Sequence, residues 1–390
     1  CMVIEVNETS QPYEVNLLIN EKPGLQLRVL DMGDRVILKA KVKTEPVIRI
    51  IKSDKVIIGA EADEGTGADL DKQPLGFLIE GGEKGIVVQG SSKVKIAQNH
   101  IKRNTKHGIE LNDNSSALIL VNAIADNEEC GIKLVNSILF TEKEGKNRIV
   151  RKPENPNSQT FCQVPEEQKE SLRTPEVRIA QDPFSDFPCQ AKADGITISA
   201  PCIQRAIEAA EDGDKIVVVR GTYQESLTIK EDQNLNAKDL TLRGETERTT
   251  LQPLTILQAH QDRPGIEISD WPRKVAIEGF LIRNGTVGIH VKNRSPAGAT
   301  DITVNNVAIQ DNQVGIEILG NVQAKICDDR QLFLCSSLIT HNTSSGLKIG
   351  GLKKEDKALK PQVTIKQAVG ILNNGGGGLV VEGKEGEAEV

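Results

Sequence analysis

Aromatic side chains are scarce in these 390 residues, with two tyrosines, one tryptophan and seven phenylalanines. Sugars, bases and flat cofactors are commonly held by ring stacking, so a ligand of this chain has to be gripped by polar groups instead. An excess of basic charge is also missing: 48 Lys and Arg stand against 55 Asp and Glu, a net charge of −7. Such a balance offers nothing to a phosphate backbone, and nucleic acid is excluded as an expected partner. The longest apolar candidates, Ala117 to Val121 and Ile216 to Val219, are far short of a bilayer span. No Cys-x-x-Cys occurs among the seven cysteines, and the five histidines (His100, His107, His260, His290, His341) lack the paired spacing of a zinc site. The chain opens at Cys1-Met2 without a charged and then apolar leader, which reads as a processed product or a piece of something longer.

What the chain has in abundance is internal repetition. Gly85-Ile86, Gly108-Ile109 and Gly131-Ile132 recur every 23 residues, each followed by alternating apolar positions (Ile86, Val88; Ile109, Leu111; Ile132, Leu134). A second set, Gly265-Ile266, Gly288-Ile289, Gly315-Ile316, Gly346-Leu347 and Gly378-Leu379, is spaced 23, 27, 31 and 32, the growth coming from inserted loops. Within one interval two more short strands follow, near Val94 to Ile96 and at Ile101, so each lap of about 23 residues holds three strands separated by turns. Laps of this kind stack about 4.8 Å apart into parallel sheets, with equivalent side chains piled in ladders. Asn104, Asn127, Asn284, Asn342 and Asn374 each lie four residues before a repeat glycine, with Asp311 in that place before Gly315; Asn99, Asn122 and Asn306 lie nine before. Asparagine tolerates the left-handed backbone of a sharp corner, and its amide can bond to the next lap, so these are read as a corner ladder rather than as catalytic residues. Asn284 and Asn342 also match the glycosylation acceptor pattern but fall in that ladder, whereas Asn7, Asn114 and Asn293 are expected at the surface.

The two halves also match each other. Tyr13, Leu17 and Ile19 correspond to Tyr223, Leu227 and Ile229 at an offset of 210, and Gly76-Phe77-Leu78-Ile79 corresponds to Gly279-Phe280-Leu281-Ile282 at an offset of 203. The difference is one loop, the acidic stretch 61–75. Two solenoid units are therefore expected, over 1–143 and 194–390, joined by a linker or insertion at 144–193 that carries Pro153, Pro156, Pro165, Pro175, Pro183 and Pro188. In the second unit, Ile203, Ala206, Ile207 and Ala210 repeat at helical spacing, between the start signals Ser199 and Pro201 and the stop Gly213. They predict an amphipathic cap helix over 202–212, lying on an otherwise open solenoid end. The first half begins directly at the strand Val3 to Val6, and the last coil at Leu379 has no closing helix, so both outer ends are expected to be open. Open strand edges template further pairing, and head-to-tail homo-oligomers follow as an expectation.

The run from Ile203 through Gly213-Asp214 to Val218, followed by Gly221-Thr222-Tyr223-Gln224-Glu225, resembles the N-terminal cap and first coil of right-handed parallel β-helix proteins of the pectin-lyase-like superfamily. The later Gly-Ile coils with asparagine corners resemble that superfamily's generic repeats. The resemblance implies an all-β right-handed solenoid, and little about role, because the superfamily hosts lyases, hydrolases, esterases, epimerases, adhesins and structural proteins. Of the segments that mark pectin methylesterases, only Gly221 to Glu225 and Gln367-Ala368-Val369 occur here; of those that mark polygalacturonases, only Asp328-Asp329. No catalytic set is therefore assigned, although pairs such as Asp262 with Glu267 could flank a glycosidic bond. Calcium is the ion with a candidate cage, at Asp63, Glu64, Asp69 and Asp71. Cys327 and Cys335 bracket a short inserted loop and are read as a disulfide; Cys130, Cys162, Cys189 and Cys202 supply two more bridges of open connectivity. The expectation is a non-enzymatic extracellular or cell-surface protein that assembles end to end. A lyase or hydrolase of acidic polysaccharide, or a carbohydrate-binding adhesin, is the alternative.

Overall fold

The computed structural model describes residues 2–7, 11–29, 36–60, 76–140, 147–155, 157–173, 176–180, 187–188, 190–193, 196–199, 202–230, 239–247, 252–296, 298–327, 337–354, 357–365 and 369–382. Among these, each lap of chain contributes one short strand to each of three parallel sheets. In the first unit Val94–Ala97, His100–Lys102 and His107–Asn112 belong to the first, second and third sheet, and each pairs with the strand one lap before and one lap after. The register places Ile86 beside Ile109 and Ile109 beside Ile132, the repeat read directly as contact. These inward side chains are fully buried, and with Ile58, Ile96, Ile101 and Ile124 they form a column of layered aliphatics. Burying each stabilises the column by roughly 1.5–3 kcal/mol.

The repeat glycines are there for closeness of approach rather than for a special backbone angle. A Cβ on Gly108 would lie 2.7 Å from the Gly131 carbonyl oxygen of the next lap and 2.7 Å from Ile124 Cγ2. Only hydrogen fits where one coil's bend rests on the next.

The chain divides into two units, residues 1–177 with 184–187, and 178–183 with 188–390. This moves the expected boundary. The strands Arg148–Arg151 and Gln159–Cys162 add a sixth member to the second and third sheets of the first unit, and the helix Glu166–Leu172 follows. Leu172 and Val164 are buried in the first unit's core, so much of the expected 144–193 linker is that unit's last coil and lid. The cap helix of the second unit runs Cys202–Ala209, shorter than 202–212, with Cys202, Ile203, Ala206, Ile207 and Ala209 buried.

Asparagine ladders run through the corners. Asn99 N–H and Nδ2 both donate to Asn122 Oδ1 (2.9 and 3.2 Å), and Asn122 does the same to Asn147 (2.9 and 3.0 Å). Asn104 donates to Asn127 in a second ladder. In the second unit the ladder is Asn312, Asn342 and Asn374, begun by Gly285 N–H donating to Asn312 Oδ1. Asn284 is not a rung: it takes the left-handed position (φ 69°) just before Gly285, aligned with Asp311 (φ 56°), whose carbonyl accepts its N–H. The same holds throughout. Gln98, Arg103, Val121 and Asp126 carry the positive φ, and the asparagine follows them. The ladder asparagines are therefore used for their amides, which satisfy buried backbone groups, while Asn284, Asn306 and Asn373 serve by backbone tolerance at the left-handed position.

Candidate functional site

The third sheet turns the same outward column, two residues after each repeat glycine, toward solvent in both units. In the first unit Val87, Glu110 and Lys133 stand in this column on successive coils, with Lys84, His107 and Cys130 at the position just before each glycine. Their side chains converge. Glu110 accepts hydrogen bonds from Lys84 Nζ (2.8 Å) and Asn112 Nδ2 (2.6 Å), and its Oε2 lies 3.3 Å from His107 Nε2. His107 Nε2 is also 3.3 Å from Lys133 Nζ and 3.5 Å from Glu129 Oε2. An ammonium only donates, so Nε2 accepts from Lys133 when the ring proton is on Nδ1, whereas a proton on Nε2 faces the Glu110 and Glu129 carboxylates. That Nδ1 is buried without a hydrogen-bond partner among the described residues.

For an outward-facing group this cluster is unusually dry: the side chain of His107 is 1% exposed and that of Glu110 6%. Burial, together with the Lys133 ammonium, holds His107 below the ordinary imidazole range, against the opposing pull of Glu110 and Glu129. Burial works to raise Glu110, but the hydrogen bonds from Lys84 and Asn112 outweigh it and keep its carboxyl below the ordinary range. A neutral imidazole, a fixed carboxylate and two ammonium groups thus share one patch, the elements of proton transfer beside an anion site. The Cys130–Cys162 disulfide fastens the next two coils beside it.

In the second unit the same column reads Glu267, His290, Glu317 and Lys348 on four successive coils. His290 Nε2 is 3.5 Å from Glu317 Oε2, and Lys348 Nζ is 3.2 Å from both Glu317 Oε1 and Glu382 Oε2. Burial lowers His290, opposed by Glu317 and Glu267, and the hydrogen bond to Glu317 raises Lys348.

Sequence inspection did not single out these groups as a site. The signal was present in the constant offset of Glu110, Lys133, His290, Glu317 and Lys348 from their glycines; what was missing was which offsets face outward. His100, seven residues before His107, lies on the second sheet and is separated from it by the corner. The calcium candidates Asp63, Glu64, Asp69 and Asp71 lie outside the described residues, as do Asp328, Asp329 and Cys335. Among the described residues no group of three or more His, Cys, Asp or Glu could hold a metal ion. Cys202 and Cys327 are disulfide-bonded. Asn293, expected at the surface, is fully buried, its Nδ2 donating to Gly298 O and Thr300 Oγ1. Trp271 is buried too, so the one tryptophan offers no face to a sugar. No described helix is long and apolar enough to cross a membrane.

The segment that resembled an esterase motif has a structural duty. Tyr223 Oη donates to Val219 O (2.7 Å). Glu225, 5% exposed, receives the first backbone N–H groups of the cap helix: Cys202 and Ile203 on Oε1 (3.0 and 3.2 Å), Ile203 and Gln204 on Oε2 (both 3.1 Å). A carboxylate from the coil thus completes the helix N-terminus, where orphan donors and the helix dipole both favour negative charge. Burial raises Glu225 against the lowering by those same N–H groups.

No curated protein matches this chain in sequence. Solved structures with some likeness include the PL6-family alginate lyase AlyGC (9% identity, TM-score 0.25, covering 99% of this chain and 79% of that one). The catalytic domain of a GH87 α-1,3-glucanase in complex with nigerose has 11% identity and TM-score 0.19, covering 98% and 62%. The Streptococcus pneumoniae surface protein and adhesin PfbA has 11% identity and TM-score 0.21, covering 98% and 90%. The family model described as the right-handed beta helix region matches residues 76–148, and among the described residues each unit is an all-β parallel β-helix.

Proposed function

We propose that this chain is a non-enzymatic extracellular or cell-surface β-helix protein that assembles end to end, with polysaccharide as a possible ligand. The observation that carries the reading is the state of the outermost described coils. Ile4 pairs with Leu27, which is 5% exposed, yet Ile4 itself is 42% exposed. Leu379 and Val381 pair with the fully buried Leu347 and Ile349, yet are 41% and 47% exposed. Core positions exposed on an outermost described coil take a further coil by strand addition, whether from the same chain or from a second copy, and the assembly reading rests on the second copy. The Cys130–Cys162 bridge and the bonded Cys202 and Cys327 support an oxidising compartment. Light scattering and electron microscopy of the full chain test the assembly: concentration-dependent growth that Leu379→Lys with Val381→Lys abolishes is expected, and a strictly monomeric chain would sink it.

A second reading, action on acidic polysaccharide, is favoured by one observation, the His107, Glu110 and Lys133 group on the third sheet. Incubation with uronic-acid polymers, with and without calcium, decides between them. New unsaturated or reducing ends, lost in His107→Gln, would replace the first reading with the second.

A further inference from the structure

We propose that His107 is an acid-sensing contact between two coils of the first unit: a proton on its Nε2 turns the Lys133 contact from a hydrogen bond into a repulsion and loosens the pairing of His107–Asn112 with Cys130–Leu134. The inference is independent of whether the protein is a scaffold or an enzyme, because it concerns a contact and not a ligand. Its basis is geometric. The two strands are neighbours in register, Glu110 beside Lys133 and His107 beside Cys130. The one side-chain contact between imidazole and ammonium, 3.3 Å long, bridges these two coils and is a hydrogen bond only while Nε2 is unprotonated.

Every charged group facing the ring is accounted for. Lys84, on the preceding coil, neutralises Glu110 at 2.8 Å, and Lys133 lies 3.9 Å from Glu110 Oε2. Glu129 is 52% exposed and weakly placed to compensate a buried imidazolium. Lys106 and Glu83 pair with each other nearby. An added proton therefore puts a third positive charge among Lys84 and Lys133, against two carboxylates, the well-held Glu110 and the exposed Glu129. Solvent screens this repulsion least for the group that is 1% exposed. Relief comes from movement of Lys133, which is 29% exposed and sits on the neighbouring coil. The Cys130–Cys162 link holds that coil to the one after it, so the seam that yields lies on the His107 side.

The test is carried out on the intact chain with its disulfides. Histidine NMR titration gives the protonation of His107, and amide hydrogen exchange, corrected for intrinsic pH dependence, follows the strands. Between about pH 7.5 and 5.0, protection at Ile109 to Leu111 is expected to fall about tenfold, the size of one proton linked over one pH unit. Protection at Ile48 to Ile50, two coils before His107 in the same sheet, is the reference and is expected to stay within about twofold. Lys133→Gln keeps the imidazole and removes the repelled cation, so it is expected to move the His107 titration upward and to flatten the loss. Glu129→Gln is expected to move the titration downward. A wild-type seam that is insensitive to pH, or a Lys133→Gln titration unchanged from wild type, would overturn the proposal. His107→Gln, which carries a risk of misfolding, is not needed for either outcome.

Discussion

The two units treat one and the same sheet face differently. In the first unit the column after the glycine (Glu110, Lys133) is flanked by polar residues before it (Lys84, His107), and the charges interlock in two dimensions. In the second unit the flanking positions are Pro264, Val287, Val314 and Ser345, none of them charged, and the column is a single file, Glu267, His290, Glu317, Lys348. The repeat decides where an outward residue will stand; the residues beside it decide whether it ends up sealed, like His107 at 1%, or partly wet, like His290 at 18% exposure. A buried charge is tolerated only where partners surround it, and single file supplies fewer of them.

The largest expected difference between the units comes from their covalent and capping ties. Replacing Cys130 and Cys162 by serine opens a loop closed across 32 residues and should destabilise the first unit by about 3–4 kcal/mol. Calorimetry should then show its transition moving below that of the second unit, and coincident melting would refute the separation. Glu225→Ala strikes the second unit instead. It leaves the N–H groups of Cys202, Ile203 and Gln204 without their acceptor, and about 2–3 kcal/mol should be lost, read as early loss of the cap helix by hydrogen exchange. At the equivalent place in the first unit, offset by 210, stands Val15, so Val15→Ala should cost only the packing of a part-buried methyl pair, about 1 kcal/mol.

Acid should affect the second unit in a sense that follows from His290. Its folded-state titration lies below the ordinary 6.5, so the unfolded chain takes up the proton first. The stability contributed by the neutral ring is complete above pH 6.5 and drains away as pH falls below it, at no more than about 1.4 kcal/mol per pH unit. Denaturation midpoints measured from pH 7.5 to 5.0 check the sign; a rise on acidification would contradict it. The smallest effect is expected from Lys348→Met. Its pairs with Glu317 and Glu382 are partly exposed, and removing them should change stability by less than about 1 kcal/mol, more at low salt than at high.

Much of this was legible from residue spacing because a solenoid converts sequence distance into contact. Twenty-three residues from Ile86 to Ile109 become one lap, and the glycine, aliphatic and asparagine columns follow. The misreadings have local causes. Asn312 was passed over for Asp311 because in that lap the rung stands three residues before its glycine, whereas Asn342 and Asn374 keep the spacing of four. The last coil of the first unit was taken for linker because Arg148–Arg151 has arginine at both ends in place of clean alternation, and because prolines interrupt it. Pro153 falls in a turn, however, and Pro165 at the entry to the helix Glu166–Leu172, places where a missing N–H costs nothing. The site itself stayed hidden for a different reason. His107 and Lys133 are 26 residues apart, and only the outward turn of the residue before the glycine brings them together.

The amide column at the corner of the first unit has a direction. Phe77 N–H donates to Asn99, Asn99 to Asn122, Asn122 to Asn147, and Asn147 Nδ2 to the carbonyl of Leu172, the last residue of the closing helix. Such a relay is a one-way file of aligned dipoles, each strengthening the next, and its far terminus always needs an oxygen. A lid on this stack is therefore chosen less by its greasy underside than by whether it can offer one bare C=O at the right spot.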